Sequence, residues 1–336
     1  MEVFDNIAIS SRIRLARNVE GLNFFTKLQS DIDAQYITGS VMRTLEKFDA
    51  FNFFSLKNLS LNECNALFER HLISKELIEN KDISSVAISE DEKVIVMINE
   101  EDHIREQCLE KGFNLYKPYR RINKIDDEII SSLPIAFDRD LGFITASPSN
   151  LGTGMRASVM CFLPACSLTG NMEDIILRAK DNGLTVRGIY GEGSKALGYF
   201  YQISNQGSLG QSEDEIIDKV SEFIYSLCGQ EKELRDSLLE TNYDLYKDKC
   251  FRAYGVLANC YSLGEEEMLE LLSQVKLGSV LGFIRINSDD KYQKLYYQGM
   301  SANLKEIFEI SDKKKENIVR AEYISNMIKE LTMEVR

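Results

Sequence analysis

The residues of this chain best suited to chemistry are scattered arginines and one run of paired acids. Ser10–Asn18 reads SSRIRLARN, with Arg12 and Arg14 two positions apart, so in an extended segment both guanidinium groups project to one face. Side by side they repel one another unless an anion lies between them. A polyphosphate suits them, because the planar fork meets phosphate oxygens bidentately. The same segment also reads as a solvated basic strand edge. Asn99–Arg105, NEEDHIR, follows the apolar run VIVMI and gathers Glu100, Glu101 and Asp102 at a strand end. Packed carboxylates need a cation among them or they raise one another's pKa. A substrate guanidinium would supply that cation and give up its proton to a carboxylate, with Arg105 facing a phosphate. An acidic turn that opens a helix is the plainer reading.

Two further segments add to the set. Thr145–Ser158, TASPSNLGTGMRAS, carries Gly152 and Gly154, which would let backbone N–H groups approach an anion, and Arg156 at a helix start. Arg187–Gly193, RGIYGEG, brings another arginine and Glu192 in a glycine-bearing loop. Arg12, Arg14, Arg105, Arg156 and Arg187 thus fall at strand ends or in loops of a chain whose 40 Lys+Arg face 53 Asp+Glu, a formal net charge of -13. There is no GxxxxGK[ST] loop and no HRD/DFG set. That combination predicts phosphoryl transfer by charge clamping, with arginines standing in for a P-loop lysine.

Composition narrows the class. A net-acidic chain argues against direct binding to nucleic acid. Two histidines, His71 and His103, and seven cysteines with no CxxC pair favour neither a metal centre nor a disulfide framework. An odd set of thiols fits a reducing compartment. No apolar run nears the ~20 residues that span a bilayer, and MEVFDNIAISSRIR lacks the basic and apolar regions of a signal peptide. A soluble, cytoplasmic, two-domain protein without membrane contact is expected.

The elements that must position these groups alternate along the first two-thirds. A helix is predicted after Ser30 through Ile32, Tyr36, Val41, Leu45 and Phe48, and another after the capping box Ser60/Glu63. Strands are predicted at Lys93–Asn99, Leu141–Ala146, Leu184–Gly188 and Tyr199–Ser204. Asn171–Asp181 reads as a helix closed by Gly183, and a second capping box, Ser212/Glu215, opens a helix through Leu227. Beyond Gly229 there are no prolines and the apolar period becomes helical. Domains at 1–229 and 230–336 are expected, with the boundary near Cys228–Glu231.

SSRIR, NEEDHIR, SPSNLGTGMR, the RGIYG segment and SNQGSLG, in that order, resemble the signature of the phosphagen (ATP:guanidino) kinases over roughly residues 7–230. More closely, the chain resembles the bacterial protein arginine kinases of that family. Only nine residues precede SSRIR, so the small N-terminal helical domain of the creatine and arginine kinases is missing, and a C-terminal helical extension stands in its place. The resemblance implies an α/β (α+β) catalytic domain with an antiparallel sheet flanked by helices, followed by an all-helical dimerisation and regulatory domain. It implies ATP as donor, with Mg2+ held only through the ATP phosphates. Arg12, Arg14, Arg105, Arg156 and Arg187 would grip those phosphates. Nucleotide contacts would come from Ser10, Ser11, Arg12, Ile13 and Arg14, then Arg156, Ala157, Ser158, Val159 and Met160, then Arg187, Gly188, Ile189, Tyr190, Gly191 and Glu192. His71, in ERHLISKEL, matches a further nucleotide contact of the family. Glu100 and Glu101 would hold and deprotonate the substrate guanidinium, with Glu192 as a third acid.

By the same resemblance the substrates are arginine side chains of proteins, marked for degradation by a Clp unfoldase–protease in a stress response. The partners are a zinc-binding activator protein, a heat-shock repressor and a second copy of the chain. A small-molecule arginine or guanidino kinase, and a non-catalytic adaptor of the repressor, remain alternatives. Two departures bear on activity. Ser147 stands where the family has a reactive cysteine, and Glu316–Ala321, ENIVRA, replaces an RDxxRA motif that binds phosphoarginine. Weak or absent activation through that second site is therefore expected.

Overall fold

The computed structural model describes residues 6–24, 31–48, 51–189, 197–310 and 312–335. Packing divides the chain into two units. The first takes residues up to Cys161 with Ile176–Val186 and Gln202–Ser226, and the second takes Phe162–Ile175, Arg187–Tyr201 and Leu227–Arg336.

An eight-stranded sheet is the frame. Its strands are β1 (Ala8–Arg17), β2 (Phe51–Ser55), β3 (Ser85–Ser89), β4 (Val94–Ile98), β5 (Ile104–Lys111), β8 (Met155–Phe162), β9 (Leu184–Gly188) and β10 (Phe200–Asn205). They lie in the order β2-β3-β4-β5-β1-β8-β10-β9. β1 is central and antiparallel to both neighbours, pairing Arg14 with Gln107 on one side and with Arg156 on the other. β4 and β5 are joined by the tight turn at 99–103 and are likewise antiparallel. All five residues of β4 are buried, which explains its unbroken β-branched run.

Strand alternation gives the two faces different tasks. On one, Ile13, Leu15 and Arg17 of β1 and Glu106 of β5 meet α4 (Tyr116–Ser132). Arg17, 2% exposed, forms a bidentate ion pair with Asp126 of α4 at 2.9 and 2.7 Å, and its guanidinium lies 3.6 Å over the Phe143 ring. Glu106 is fully buried beside this pair; burial first, and Asp126 second, push its pKa well up, so it remains a neutral acid. On the other face α2 (Leu61–Glu69) and α3 (Lys75–Glu79) cover β3 and β4 through Cys64, Leu72, Ile73, Leu77, Val86, Ile88, Ile95 and Met97. The capping box at Ser60/Glu63 forms as the spacing requires.

Several predicted elements shift. The strand expected at Leu141–Ala146 shrinks to β7 (Gly142–Phe143), paired with β6 (Phe137–Asp138) in a separate ribbon. Arg156 does not begin a helix; it belongs to β8, where MRASVMCF inserts beside β1. The acids of NEEDHIR open a strand, β5, rather than a helix. The helix expected to end near Leu227 runs from Glu213 to Asn259, with non-helical backbone at Asn242, and so passes straight through the expected boundary.

The second unit is helical apart from a short ribbon of Ile284–Ile286 with Thr332–Val335. Within it Phe162 and Phe200 stack at 5.0 Å and Phe200 meets Tyr296 at 5.1 Å. Buried Glu231 accepts from the backbone N–H groups of Ala165 and Cys166 at 3.0 and 2.9 Å, closing the start of Pro164–Leu168.

Candidate active site

Arg12 and Arg14 leave β1 on the face opposite α4, as their spacing predicts. Registry places Arg105 of β5 opposite Ala16, and Arg156 of β8 opposite Arg14, on that same face. Three adjacent strands thus contribute four guanidinium groups to one surface, from segments far apart in the sequence. Their charges act on each other. Burial, then Arg105 and Arg156, push the pKa of Arg12 down to about 10. Arg14 is likewise pushed well down, by burial and then by Arg12, Arg105 and Arg156. Neither Arg12 nor Arg14 has a carboxylate partner among the described residues, and Arg14 Nε is buried without a hydrogen bond. Arg156 is held by Ser204 Oγ, at 3.2 Å from Nε and 2.9 Å from Nη2. Two guanidinium groups without a carboxylate partner, packed against two more, are costly to bury unless an anion is drawn in.

The carboxylates stand beside them on the β4–β5 turn. Asn99 adopts φ 60°, a left-handed conformation that asparagine tolerates, and its N–H donates to His103 O at 2.8 Å. Glu100 is fully buried, and Arg105 Nη1 donates to both its oxygens at 2.7 Å. Burial opposes the charged form, but Arg105's charge and hydrogen bond outweigh it and hold the Glu100 pKa low. Glu101 is only half-buried; burial first, then Asp102 and Glu100, raise its pKa. The two acids are therefore unequal. Glu100 is committed to Arg105, and Glu101 is the one free to take a proton.

Asn18, to which the sequence reading gave no role, fixes this turn together with Asp102 and His103. Asp102 accepts from Asn18 Nδ2 at 2.6 Å and from Ala146 N at 2.7 Å. Asn18 Oδ1 accepts from His103 N at 2.9 Å, and His103 Nδ1 accepts from Val19 N at 3.0 Å. That makes Nε2 the protonated nitrogen, donating to Asn23 O at 2.8 Å. The turn is thus bolted to the end of β1 and to the loop carrying Ser147, whose hydroxyl lies 2.9 Å from Ser149 Oγ. The asparagine directly after SSRIRLAR was the only signal in the sequence.

His71 sits at the edge of the α2–α3 layer with φ 60°, and its carbonyl accepts from Gln107 Nε2 at 3.1 Å. Burial first and Arg12 second push its pKa down to about 4, so the ring is neutral and close to Arg12. Other expected contacts divide by alternation. Ser10, Ser158 and Met160 share the arginine face, whereas Ser11, Ile13, Ala157 and Val159 are fully or almost fully buried on the other. Ser11 Oγ donates to Gly112 O at 2.9 Å. Arg187 is an exposed residue at the end of β9 in the second unit, followed by Gly188 and Ile189. Tyr190, Gly191 and Glu192 lie outside the described residues.

Gly152 and Gly154 have another task than the expected one. At φ +105° a Cβ on Gly152 would meet Ser208 O at 2.6 Å, and at φ +67° one on Gly154 would meet Ala16 O at 2.7 Å and the Arg17 guanidinium. They are glycine so that backbones can pack, seating the loop on the Ser208–Leu209 turn and on the end of β1. Among the described residues no cluster of histidine, cysteine and acidic side chains can hold a metal ion, and no helix is long and apolar enough to cross a membrane.

In the second unit, the segment ENIVRA forms a closed set of its own. Arg320, 1% exposed, donates to Gly299 O at 2.7 Å, Leu263 O at 3.0 Å and Asn317 Oδ1 at 2.6 Å, and pairs with Glu316 at 2.6 Å. Glu316 also receives Lys305 at 3.3 Å and Ser301 Oγ at 2.5 Å.

Known proteins share this fold. The sequence model of the ATP:guanido phosphotransferase C-terminal catalytic domain matches residues 34–234, and that of the protein-arginine kinase McsB C-terminal domain matches residues 244–335. Two solved guanidino kinases resemble the structure. The duplicated taurocyamine kinase of Schistosoma mansoni has a TM-score of 0.63 at 28% identity, over 70% of this chain and 34% of that one. Lombricine kinase has a TM-score of 0.60 at 25% identity, over 69% and 68%. The fold and the matching sequence model are those of a phosphotransferase of the guanidino-kinase class. The protein-arginine kinase of Clostridium acetobutylicum is 42% identical over 331 residues, 95% of each chain, and that of Caldanaerobacter subterraneus subsp. tengcongensis is 36% identical over 333 residues, 96% of this chain and 97% of the relative. The chain belongs to the protein-arginine kinase family and is a kinase, with ATP as its phosphoryl donor.

Proposed function

We propose that this kinase phosphorylates arginine side chains of proteins. The observation that carries the reading is the juxtaposition of Arg12, Arg14, Arg105 and Arg156 on one sheet face with the Glu100–Glu101 turn beside them. A triphosphate supplies the anion that Arg12 and Arg14 lack, and the guanidinium forks meet its oxygens directly. The family resemblance assigns further nucleotide contacts to His71, Ser10–Arg14, Arg156–Met160 and Arg187–Glu192. Mg2+ would be held through the ATP phosphates and would neutralise part of their charge.

A protonated guanidinium, pKa near 13, is a poor nucleophile. Glu101, its pKa raised, orients the incoming guanidinium and accepts its proton as the terminal nitrogen attacks the γ-phosphorus in line. The P–N bond forms, the bond to the β–γ bridging oxygen breaks, and ADP leaves. Glu100 keeps Arg105 aimed at the transferring group, and the family resemblance gives Glu192 the role of a third acid.

Residues 1–229 form the catalytic module and 230–336 a dimerisation and regulatory module. The protein acts in the cytoplasm with a zinc-binding activator, a heat-shock repressor and a Clp unfoldase–protease, marking proteins for degradation under stress. A small-molecule guanidino kinase is the second reading, favoured by the names of the structural neighbours. Mass spectrometry under conditions that preserve the acid-labile P–N bond separates the two. Phosphoarginine on a protein substrate incubated with enzyme and ATP is the expected result; labelling of free arginine alone would replace this reading with the second.

A further inference from the structure

The face of the sheet turned away from the arginine cluster carries a second concentration of positive charge. Along β5, Arg105, Gln107 and Leu109 share the face of Arg12 and Arg14, while Glu106, Cys108 and Glu110 point toward the α4 side. Beside Glu110 lies a concave depression of about 790 Å³ whose charged lining is Lys93, Lys117, Arg120, Arg121 and Lys124 around that one acid. Lys93 and Lys117 converge on the Glu110 carboxylate at 2.9 and 3.1 Å, and Arg121 pairs with Asp91 at 2.6 Å. Arg120 and Lys124 are exposed and have no carboxylate partner among the described residues. Five cations therefore share the lining with one acid, Glu110, and Asp91 pairs with one of them, in a chain whose net charge is -13. Tyr116, also in the lining, donates to Asp218 at 2.9 Å, with Asp214 close to the same hydroxyl.

The spacing of these cations restricts what fits. Lys117, Arg120, Arg121 and Lys124 recur on α4 at three- and four-residue intervals, so they form one stripe, roughly 10 Å long at ~1.5 Å per residue. A compact phosphate would engage one end of it. Carboxylates at alternate positions of an extended chain, about 6.6 Å apart, would meet successive turns. A duplex nucleic acid would extend well past the stripe onto a surface that is net negative. The lysines already closed on Glu110 show that a carboxylate is the group this lining accepts.

We propose that this depression docks a short acidic segment of a partner polypeptide, on the sheet face opposite the arginine cluster. A labelled oligoglutamate peptide titrated against the full chain at low salt, followed by fluorescence anisotropy, tests it. Binding should occur, should weaken steeply with added salt, and should be unchanged by saturating ATP, because the nucleotide face is elsewhere. The triple variant Lys117→Gln, Arg120→Gln, Lys124→Gln, which keeps good helix formers at exposed positions, should lose roughly tenfold or more in affinity. The charge-retaining variant Lys117→Arg, Lys124→Arg should bind like the parent, which separates lost charge from lost fold. Absence of binding, equal affinity in the triple variant, displacement by ATP, or equally tight binding of duplex DNA would each overturn the proposal.

Discussion

At the scale of single residues, the site depends on groups that differ although the sequence writes them alike. Glu100 and Glu101 are neighbours of the same type, yet one is sealed against Arg105 and the other is half-open with a raised pKa. Glu101→Gln should therefore lower kcat by about 10²–10⁴-fold while nucleotide affinity, measured by calorimetry, stays near that of the parent. In the parent, kcat/KM should fall on the acid side through a pKa above the ordinary glutamate value, since the base must be ionised; an acid limb at or below that value would remove Glu101 from the role. His71 gives a stability prediction. Its folded pKa, about 4, lies below the 6.5 of an ordinary histidine, so the unfolded chain binds the extra proton first. The contribution of the neutral ring is complete above about pH 6.5 and is lost as the pH falls toward 4. Urea melts of the parent should weaken more over that window than those of His71→Gln.

At the scale of elements, the β4–β5 turn is the part whose geometry matters most, because it sets the distance between acids and arginines. Its shape is held by Asn18, which uses both ends of its amide, toward Asp102 and toward His103 N. Asn18→Ala strands both partners in a buried setting. It should cost about 1–3 kcal/mol by chemical denaturation and lower kcat more than it changes nucleotide affinity. A variant with parental kcat would show that the turn holds itself without this bolt. Much at this scale was legible beforehand. The alternate arginines fitted an extended segment, the run VIVMI marked a buried strand, and Ser60/Glu63 marked a helix start. What misled was the pair Gly152 and Gly154, where glycines that serve backbone packing look the same in sequence as glycines that cradle an anion.

At the scale of the whole molecule, ENIVRA in the second unit bears on regulation. Arg320 spends its donors on Gly299, Leu263, Asn317 and Glu316, and Glu316 satisfies the cations around it from within. No group in this set is left seeking a phosphoguanidine. Preincubation with phosphoarginine should leave specific activity unchanged in a continuous kinase assay; a rise would show that the set opens. The helix from Glu213 to Asn259 passes through the expected boundary because buried positions continue in helical register across it, at Cys228, the paired Glu231 and Arg235, and Leu238. A change in composition marks where function changes, and the hydrogen-bonded ladder of a helix need not break there.

The sequence alone determined the chemistry available to this protein: arginines at alternate positions, a run of acids after a buried strand, and an ordered set of motifs that assigns its family. Local periodicity and residue type are enough for that, because they depend on neighbours in the chain. Only the tertiary structure decided which arginines meet, which acid is sealed and which is open, and that α4 presents its cations on the side away from them. Those outcomes are set by strand registry and by burial, which join residues a hundred or more positions apart and give no periodic signal along the chain.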